Sequence, residues 1–277
     1  MAERLSTGFS DSDILFLIET IDHELLDRMA VIKGDPAMVE GMLDQEIGRV
    51  FRRLMSMSEE KIMARVSPRF FFGVMLRKTL RELEGQTYTV ERTASYKIPV
   101  FDSGEVARFL GDRAVLSYLT DMLSSFTRVE SFTVPVRVRK GIWRKIRFSD
   151  MDIDSLAGVC EAVDEEHRFV YYKRAGDLCL FILGMFPEYA PPDFSCLPGG
   201  DAQPLRKLRR SAEDYERDGR RFYKLAGEHR DAGVLGLAEV LGQLHDRFDL
   251  ARKPLNHISG KFIQLHKQKL FFSLPPN

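Results

Sequence analysis

The residue types best suited to binding chemistry gather in one short segment between Ser131 and Ser149. This segment contains six lysine or arginine residues, no acidic residue and the only tryptophan of the chain. Arginine contacts a phosphate through two donors at once, and a tryptophan ring stacks on a base or on a guanidinium group. We therefore predict an anion or nucleic-acid site formed by Arg137, Arg139, Lys140, Trp143, Arg144, Lys145 and Arg147.

The sequence around these residues predicts the β-hairpin that would position them. Valine and isoleucine recur at alternating positions over 132–148, and a three-residue loop, Arg139-Lys140-Gly141, would join the two strands. Such a hairpin places an aliphatic set on one face, and on the other face it places Arg137, Trp143, Lys145 and Arg147. A second interpretation is also open, because charged residues on an exposed strand protect it against edge-to-edge aggregation.

An acidic cluster follows the basic segment directly. Asp150, Asp152, Asp154 and Glu161 have the spacing of the ligands in a calcium loop of the EF-hand type, which this stretch resembles over twelve residues. The resemblance implies a cation site made by these four carboxylates. Ser155 stands where that loop has its glycine, however. The alternative is that the aspartates cap the helix that follows, where carboxylates accept hydrogen bonds from free N–H groups.

Motifs for catalysis are absent from the sequence. It contains no HExxH zinc motif, no nucleophile elbow, no phosphate-binding loop of the Walker type and no dinucleotide fingerprint. Six histidines leave a metal-dependent enzyme as a third hypothesis, with histidine and carboxylate ligands from several helices. His245, His257 and His266 would converge if the chain folded back at Pro254. The sequence leaves open whether a cofactor or a metal ion is bound.

Composition narrows the class of protein. Basic and acidic residues number 41 each in 277 residues, so the formal net charge is zero, which argues against a protein that binds polyanions over its whole surface. The three cysteines, Cys160, Cys179 and Cys196, form no close pair, which favours buried free thiols in a reducing compartment. The polar N-terminal residues and the shortness of the strongest apolar run, 178–186, predict a cytoplasmic protein that has no membrane contact.

Periodicity predicts a mainly α multi-helix fold with a small antiparallel β element, two short hairpins between about residues 86 and 148. Helix starts are predicted at Asp35-Pro36, at Ser67-Pro68 and at Ser211 with Asp214. The predicted organisation is a helical body, 1–190, with the β-rich insert at 86–148, and a C-terminal helical segment, 205–277, docked on it. A proline- and glycine-rich linker, 187–204, separates the two.

The function expected from these features is that of a non-catalytic interaction or regulatory protein that binds another macromolecule. The expected partner is a protein. The run Phe70-Phe71-Phe72 supports this, because three consecutive helical positions cannot all face one core and one should meet a neighbouring element or a partner. The first alternative is nucleic-acid or other anion binding through the basic hairpin, 132–148, aided by a basic tail from Arg252 to Lys269. The oligomeric state is left open by the sequence.

Overall fold

The computed structural model describes residues 8–92, 97–127, 131–139, 142–149, 151–190 and 210–263, with the strand residues 91, 92, 97 and the hairpin 131–149 described by their backbone. The mainly α architecture with a small β component is confirmed. The N-terminal helices are α1 (Asp11–Ile21), α2 (Met29–Gly34), α3 (Pro36–Gln45), α4 (Ile47–Met55), α5 (Glu59–Arg65) and α6 (Pro68–Glu84), with a 3₁₀ helix at His23–Arg28.

Local capping chemistry sets the starts of these helices. The Asp35 side chain accepts hydrogen bonds from the backbone of Ala37 and Met38, and Ser67 caps α6 in the same way, each with proline at the first helical position. The first helix begins at Asp11, since Ser10 is its N-cap and forms a capping box with Asp13. The sequence predicts Ser12 as the N-cap of this helix, and that prediction is wrong.

Helix α6 is the centre of the N-terminal half. Phe70, Phe71 and Phe72 are all buried, because α4, α8 and two further helices surround α6 on several sides. Phe70 packs edge-on against both Phe9 and Phe16, with ring centroids 5.2 Å and 5.9 Å away. The aromatic run therefore fills the core within this chain.

Two separate two-stranded antiparallel sheets make up the β component. The first pairs β1 (Thr89–Arg92) with β2 (Lys97–Val100), and the second pairs β3 (Ser131–Arg139) with β4 (Ile142–Ser149). Helices α7 (Ser103–Leu110) and α8 (Arg113–Ser125) lie between the two sheets in the chain. Both hairpins are thus present where the sequence predicts them.

Six further α-helices lie in the described residues after the second sheet. They are α9 (Ile153–Ala162), α10 (Phe169–Met185), α11 (Ala212–Glu228), α12 (Arg230–Val234), α13 (Ala238–Asp246) and α14 (Phe248–His257), with a π-helical turn at Ile258–Phe262 and short 3₁₀ helices at Glu165–His167 and Pro187–Tyr189. Within the described ranges, no helix combines the length and apolar character that crossing a membrane requires.

Helix α10 packs closely against α11 and α14. A Cβ atom placed on Gly219 would lie 2.5 Å from the Phe248 ring, and one placed on Gly184 would lie 2.6 Å from the Leu255 side chain. These glycines allow the helix backbones to approach at distances that a larger residue would prevent. The buried apolar residues of 8–190 and of 210–263 belong to one continuous cluster.

A buried carboxylate joins three of the helices. Asp177, only 1% exposed, accepts hydrogen bonds from Tyr118 at 2.7 Å and Tyr223 at 3.0 Å, and Lys173 contacts its other oxygen at 2.7 Å. Burial, followed by the charge of Asp177, raises the pKa of both phenols well above the usual range. The phenols therefore stay protonated and donate, which satisfies a carboxylate that would otherwise be costly to bury.

The C-terminal part of the chain does not form the single amphipathic helix that its apolar pattern predicts. The pattern from Val234 to Ala251 predicts one helix that kinks or ends at Pro254, but the helix is broken after Val234, where Gly236 has a φ of 69°, and again at Arg247. Pro254 lies inside α14, and the π-helical turn follows one turn later. Val234, which the pattern places on the buried side, is 79% exposed. The periodicity continues across both breaks, so it cannot reveal where the helix axis changes direction.

Candidate functional site

A cavity of about 520 Å³ opens between the C-terminal end of α6, strand β1 and the last helical turns of the described chain. Its charged lining residues are all basic: Lys253, His257 and Lys261. They are spaced by four residues, which places them on one side of α14 and its π-helical extension. We call these three residues the basic row. Single π-turns inside helices recur at functional sites in proteins.

Glu82 on α6 organises one end of the basic row. Its Oε2 atom lies 2.8 Å from Nε2 of His257 and 2.6 Å from Nζ of Lys261, while Lys78 lies 3.3 Å from Oε1. Burial raises the pKa of Glu82, but the hydrogen bonds from Lys261 and His257 outweigh this effect and bring the pKa below its ordinary value. Glu82 is therefore a carboxylate at neutral pH and fixes the orientation of the His257 ring.

Asp102 contacts the basic row at its other end, at Lys253. It forms an ion pair with the buried Lys253, and it accepts a hydrogen bond of 2.5 Å from the Thr89 hydroxyl at the start of β1. The sequence predicts a capping box of Asp102 with Glu105, which is wrong, since the Asp102 side chain makes no capping hydrogen bond. The carboxylate instead ties α14 to the first sheet.

The described ion pairs beside the cavity contain more lysines than carboxylates. Lys78 and Lys261 contact Glu82, and Lys253 contacts Asp102. Lys261 is 50% exposed, so part of its charge is available to a ligand in solution. The cavity is suited to receiving an anionic group.

An exposed apolar surface adjoins the basic row. The register pairs Val90 with Pro99 on one face of the first sheet. Tyr88 and Phe101 lie one residue beyond the paired strands, where continued alternation places them on the same side. Tyr88, Val90 and Phe101 are 45%, 37% and 81% exposed, and the rings of Tyr88 and Phe101 lie 6.2 Å apart. We call this set the apolar face. Tyr88 and Val90 also line the cavity, so the two features are continuous.

The basic hairpin from the sequence analysis lies elsewhere, on β3 and β4. The register pairs Arg137 with Trp143, and alternation from these positions puts Lys145 and Arg147 on their face of the sheet. Arg144 is paired with Val136 and belongs to the opposite face. The predicted three-residue loop is wrong: Arg139 is the last residue of β3 and pairs with Ile142, after a register shift that follows Arg137. Lys140 lies outside the described residues.

The acidic cluster is only partly brought together. Asp152 is the N-cap of α9 and accepts from the backbone of Asp154 and Ser155, while Asp154 forms an ion pair with Arg210. Glu161 lies seven residues beyond Asp154 on the same helix, a rise of roughly 10 Å. The structure therefore does not join these two carboxylates at one ion. Asp150 lies outside the described residues.

The histidines are separated in space. His245 Nδ1 lies 2.9 Å from the carbonyl of Arg220, His229 contacts the carbonyl of Glu165, and His257 contacts Glu82. His266 lies outside the described residues. Across the part of the chain that the structure describes, no three histidine, cysteine, aspartate or glutamate residues are grouped as metal ligands.

Sequence reasoning found part of this site. The basic tail from Arg252 to Lys269 contains the basic row, and the four-residue spacing of Lys253, His257 and Lys261 is visible in the sequence. The carboxylates that hold the row, Glu82 and Asp102, come from distant parts of the chain and carry no signal in a local window. The exposure of Tyr88 and Phe101 is likewise a property of the fold.

Comparisons with known proteins add no family or relative to this description. No family model, no curated protein and no solved structure matches the chain.

Proposed function

We propose that this chain is a non-catalytic interaction protein that binds an acidic, partly apolar segment of another protein. The single observation that carries the proposal is the continuity of the basic row with the apolar face at one cavity. A bound segment would set a carboxylate against Lys261 and His257 and cover Tyr88 and Phe101 with apolar side chains.

The apolar face supports a protein ligand. Exposed aromatic residues next to aliphatic ones are typical anchors of protein interfaces, because covering them removes apolar surface from water. Phe101 is 81% exposed and contacts the ring of Tyr88, so it projects from the sheet as an anchor would. Pro99 has no N–H group, which makes strand addition at β2 unfavourable and directs a ligand to the face of the sheet instead of its edge.

The charges support an acidic ligand. The excess of lysine over carboxylate is small, and Lys253 and Lys261 already have carboxylate partners. A nucleic acid would need several uncompensated cations along its phosphates, whereas a single carboxylate next to apolar side chains matches this site. These features favour a protein segment over a nucleic acid.

Selection from a random peptide library displayed on phage, with the full chain immobilised, tests the proposal. We expect the selected peptides to be enriched in aspartate or glutamate next to aromatic or aliphatic residues. The best peptide, synthesised with a fluorophore, should bind Phe101→Ser and Lys261→Glu roughly ten-fold or more weakly than the parent in fluorescence anisotropy. The matched controls are Val234→Ser and Arg230→Glu on α12, which change an apolar residue about as exposed as Phe101 and a basic residue more exposed than Lys261, both outside the site.

The same variants distinguish a protein ligand from a nucleic acid. A failure to select any peptide, or selected peptides that bind Phe101→Ser as tightly as the parent, would overturn the proposal. Retention of a mixed-sequence single-stranded DNA at physiological salt that Lys261→Glu abolishes would replace the protein ligand with a nucleic acid.

Anion binding by the second hairpin is a second candidate function. It is favoured by the register of β3 with β4, in which Arg137, Trp143, Lys145 and Arg147 share a face. Replacing Arg137, Lys145 and Arg147 by glutamate should abolish retention on heparin without lowering the melting temperature much, and retention by the parent should weaken steeply with salt. If this triple variant is retained on heparin as strongly as the parent, the hairpin is only a charged edge that is protected against aggregation.

The hypothesis of a metal-dependent enzyme stays an untested prediction.

A cytoplasmic location is part of this proposal. Cys160 and Cys179 are free and buried, and burial raises the pKa of the Cys160 thiol to about 11 and that of Cys179 further. Thiols held protonated in this way act as core residues, which suits a reducing compartment.

A further inference from the structure

A second cavity lies on the other side of α6, between α3, α6 and α8, and has a volume of about 350 Å³. Four arginines line it: Arg69, Arg77 and Arg81 from α6, and Arg113 from the first turn of α8. The three on α6 are spaced by eight and four residues, so they follow one side of that helix. Its volume is at the lower end of the range for small-molecule sites.

Three of these arginines have carboxylate partners. Arg77, 8% exposed, pairs with Glu40 and contacts Asp44 at 2.8 Å. Arg69 pairs with Asp121, and Arg81 lies 3.2 Å from Glu84. Arg113 is exposed, and no carboxylate lies within 4 Å of its guanidinium among the described side chains.

The charge of Arg113 acts on its neighbours in the cavity. Burial, and secondarily the positive charge of Arg113, lower the pKa of Arg77 to about 10. An anion bound between two guanidinium groups attracts both of them and so offsets their mutual repulsion. Arg77 is also held rigidly, since its Nη1 donates to the carbonyl of Gly73 at 3.2 Å.

The rest of the lining is mixed. Phe9, Ile47, Leu80 and Leu116 contribute apolar side chains, and Glu40, Asp44 and Glu84 contribute carboxylates. A cavity that combines an apolar wall with a few directed polar groups is typical of sites for small organic molecules. Glu40 and Asp44 contact Arg77, and Glu84 contacts Arg81. Arg113 is exposed and Arg81 is half-exposed, so both can be reached by a ligand from solution.

We propose that this cavity binds a small organic anion, with an apolar body against Phe9, Ile47 and Leu116 and an oxyanion held by Arg113 and Arg81. The oxyanion, a carboxylate or a phosphate, would add a direct ion pair for Arg113, whose charge among the described side chains acts on the carboxylate of Asp44 from beyond 4 Å. This site is separate from the basic row and does not depend on the proposed protein ligand.

Calorimetric titration of the full chain with matched probes tests the proposal. The probes are 3-phenylpropionate and phenyl phosphate, which combine an apolar body with an oxyanion, inorganic phosphate, which is the head group alone, and 3-phenylpropan-1-ol, which is the body alone. We expect one or both organic anions to bind more tightly than either partial probe. Their relative affinity decides between a carboxylate and a phosphate.

Arg113→Gln is the decisive variant, because Arg113 is exposed and its replacement should leave the fold intact. It should weaken binding of the preferred anion roughly ten-fold or more, since a charge-assisted hydrogen bond is lost. Arg81→Gln should have a similar effect, and Arg230→Gln, an exposed arginine on α12, should have none. Equal binding of the alcohol and the anions, an unchanged affinity of Arg113→Gln, or no binding of either anion at about 10 mM would overturn the proposal.

Discussion

Glu82 and His257 are 175 residues apart in the chain, yet Nε2 of His257 lies 2.8 Å from Oε2 of Glu82. A carboxylate can only accept, so this nitrogen carries a proton and donates a hydrogen bond to Glu82. The contact joins α6 to α14 and fixes the central residue of the basic row. The same pair of side chains therefore supports the fold and positions the site that we propose for ligand binding.

The first prediction concerns the pH dependence of this contact. The pKa of Glu82 in the folded chain is below its ordinary value of 4.5, so its stabilising effect is present above pH 4.5 and is lost as the pH falls through the folded pKa. Glu82→Gln should lower the free energy of unfolding by about 1–3 kcal/mol at neutral pH. The difference from the parent should shrink in urea titrations below pH 4.5. Glu228→Gln, at an exposed site, is the control, and a difference that does not change with pH would contradict the prediction.

Tyr223→Phe tests the buried Asp177 cluster. The substitution removes one of the two phenol donors to Asp177 and should cost about 1–3 kcal/mol, because a charged, buried acceptor loses a hydrogen bond. Tyr172→Phe, whose ring packs nearby against Phe222, should change stability by less than about 0.5 kcal/mol. Urea denaturation measures both, and equal effects of the two variants would argue against a specific role for the Tyr223 hydroxyl.

Close packing of α10, α11 and α14 is tested with Gly219→Ala. The added methyl group would lie 2.5 Å from the Phe248 ring and 2.9 Å from Cβ of Cys179, so it should destabilise by about 1–3 kcal/mol. Gly242→Ala on α13 has open space around it and should be stabilising by about 0.5–1 kcal/mol. Melting temperatures should therefore move in opposite directions. A shift of the same sign and size for both would refute the packing geometry.

Asp152→Ala tests the capping interpretation of the acidic cluster. Loss of the N-cap of α9 should cost about 0.5–2 kcal/mol, and added calcium should leave the melting temperature unchanged. A calcium-dependent rise of several degrees in the parent, lost in Asp152→Ala, would instead support the cation site of Asp150, Asp152, Asp154 and Glu161.

The division into a body, 1–190, and a docked segment, 205–277, stays a prediction that unfolding can test. Leu255 is fully buried and contacts α10 at Gly184, so Leu255→Ala should cost about 2–5 kcal/mol. If the segment is docked, the chain should unfold in one transition that this substitution shifts as a whole. Two separate unfolding transitions, only one of which is shifted by Leu255→Ala, would contradict docking.

Several elements were predictable because their causes are local. The caps at Asp35, Ser67 and Ser211 are all confirmed, since each depends on residues within one helical turn. Both hairpins follow from the alternation of residue types, although the loop predicted for the second hairpin is wrong, and the mainly α class follows from apolar periodicity. In each case the interacting atoms are close in sequence.

Other features depended on contacts between distant residues. Asp13 shows the difference: besides closing the capping box with Ser10, its carboxylate accepts from the backbone and hydroxyl of Ser67 at 2.6 and 2.7 Å. That contact favours a helix start at Ser10 over the equally plausible Ser12. The partners of Asp102 and Glu82, the burial of all three phenylalanines at 70–72 and the break at Arg247 are likewise consequences of how the helices pack.

The sequence by itself determined the mainly α class, the two hairpins and the capped helix starts, and where the basic and aromatic side chains stand along the chain. Only the tertiary structure decided that Lys253, His257 and Lys261 adjoin Tyr88 and Val90, and that Arg77 and Arg113 line one cavity. The reason is physical. Hydrogen bonds within a turn are fixed by neighbouring residues, whereas a site assembled from several helices depends on the packing of the whole core, to which no short window of sequence corresponds.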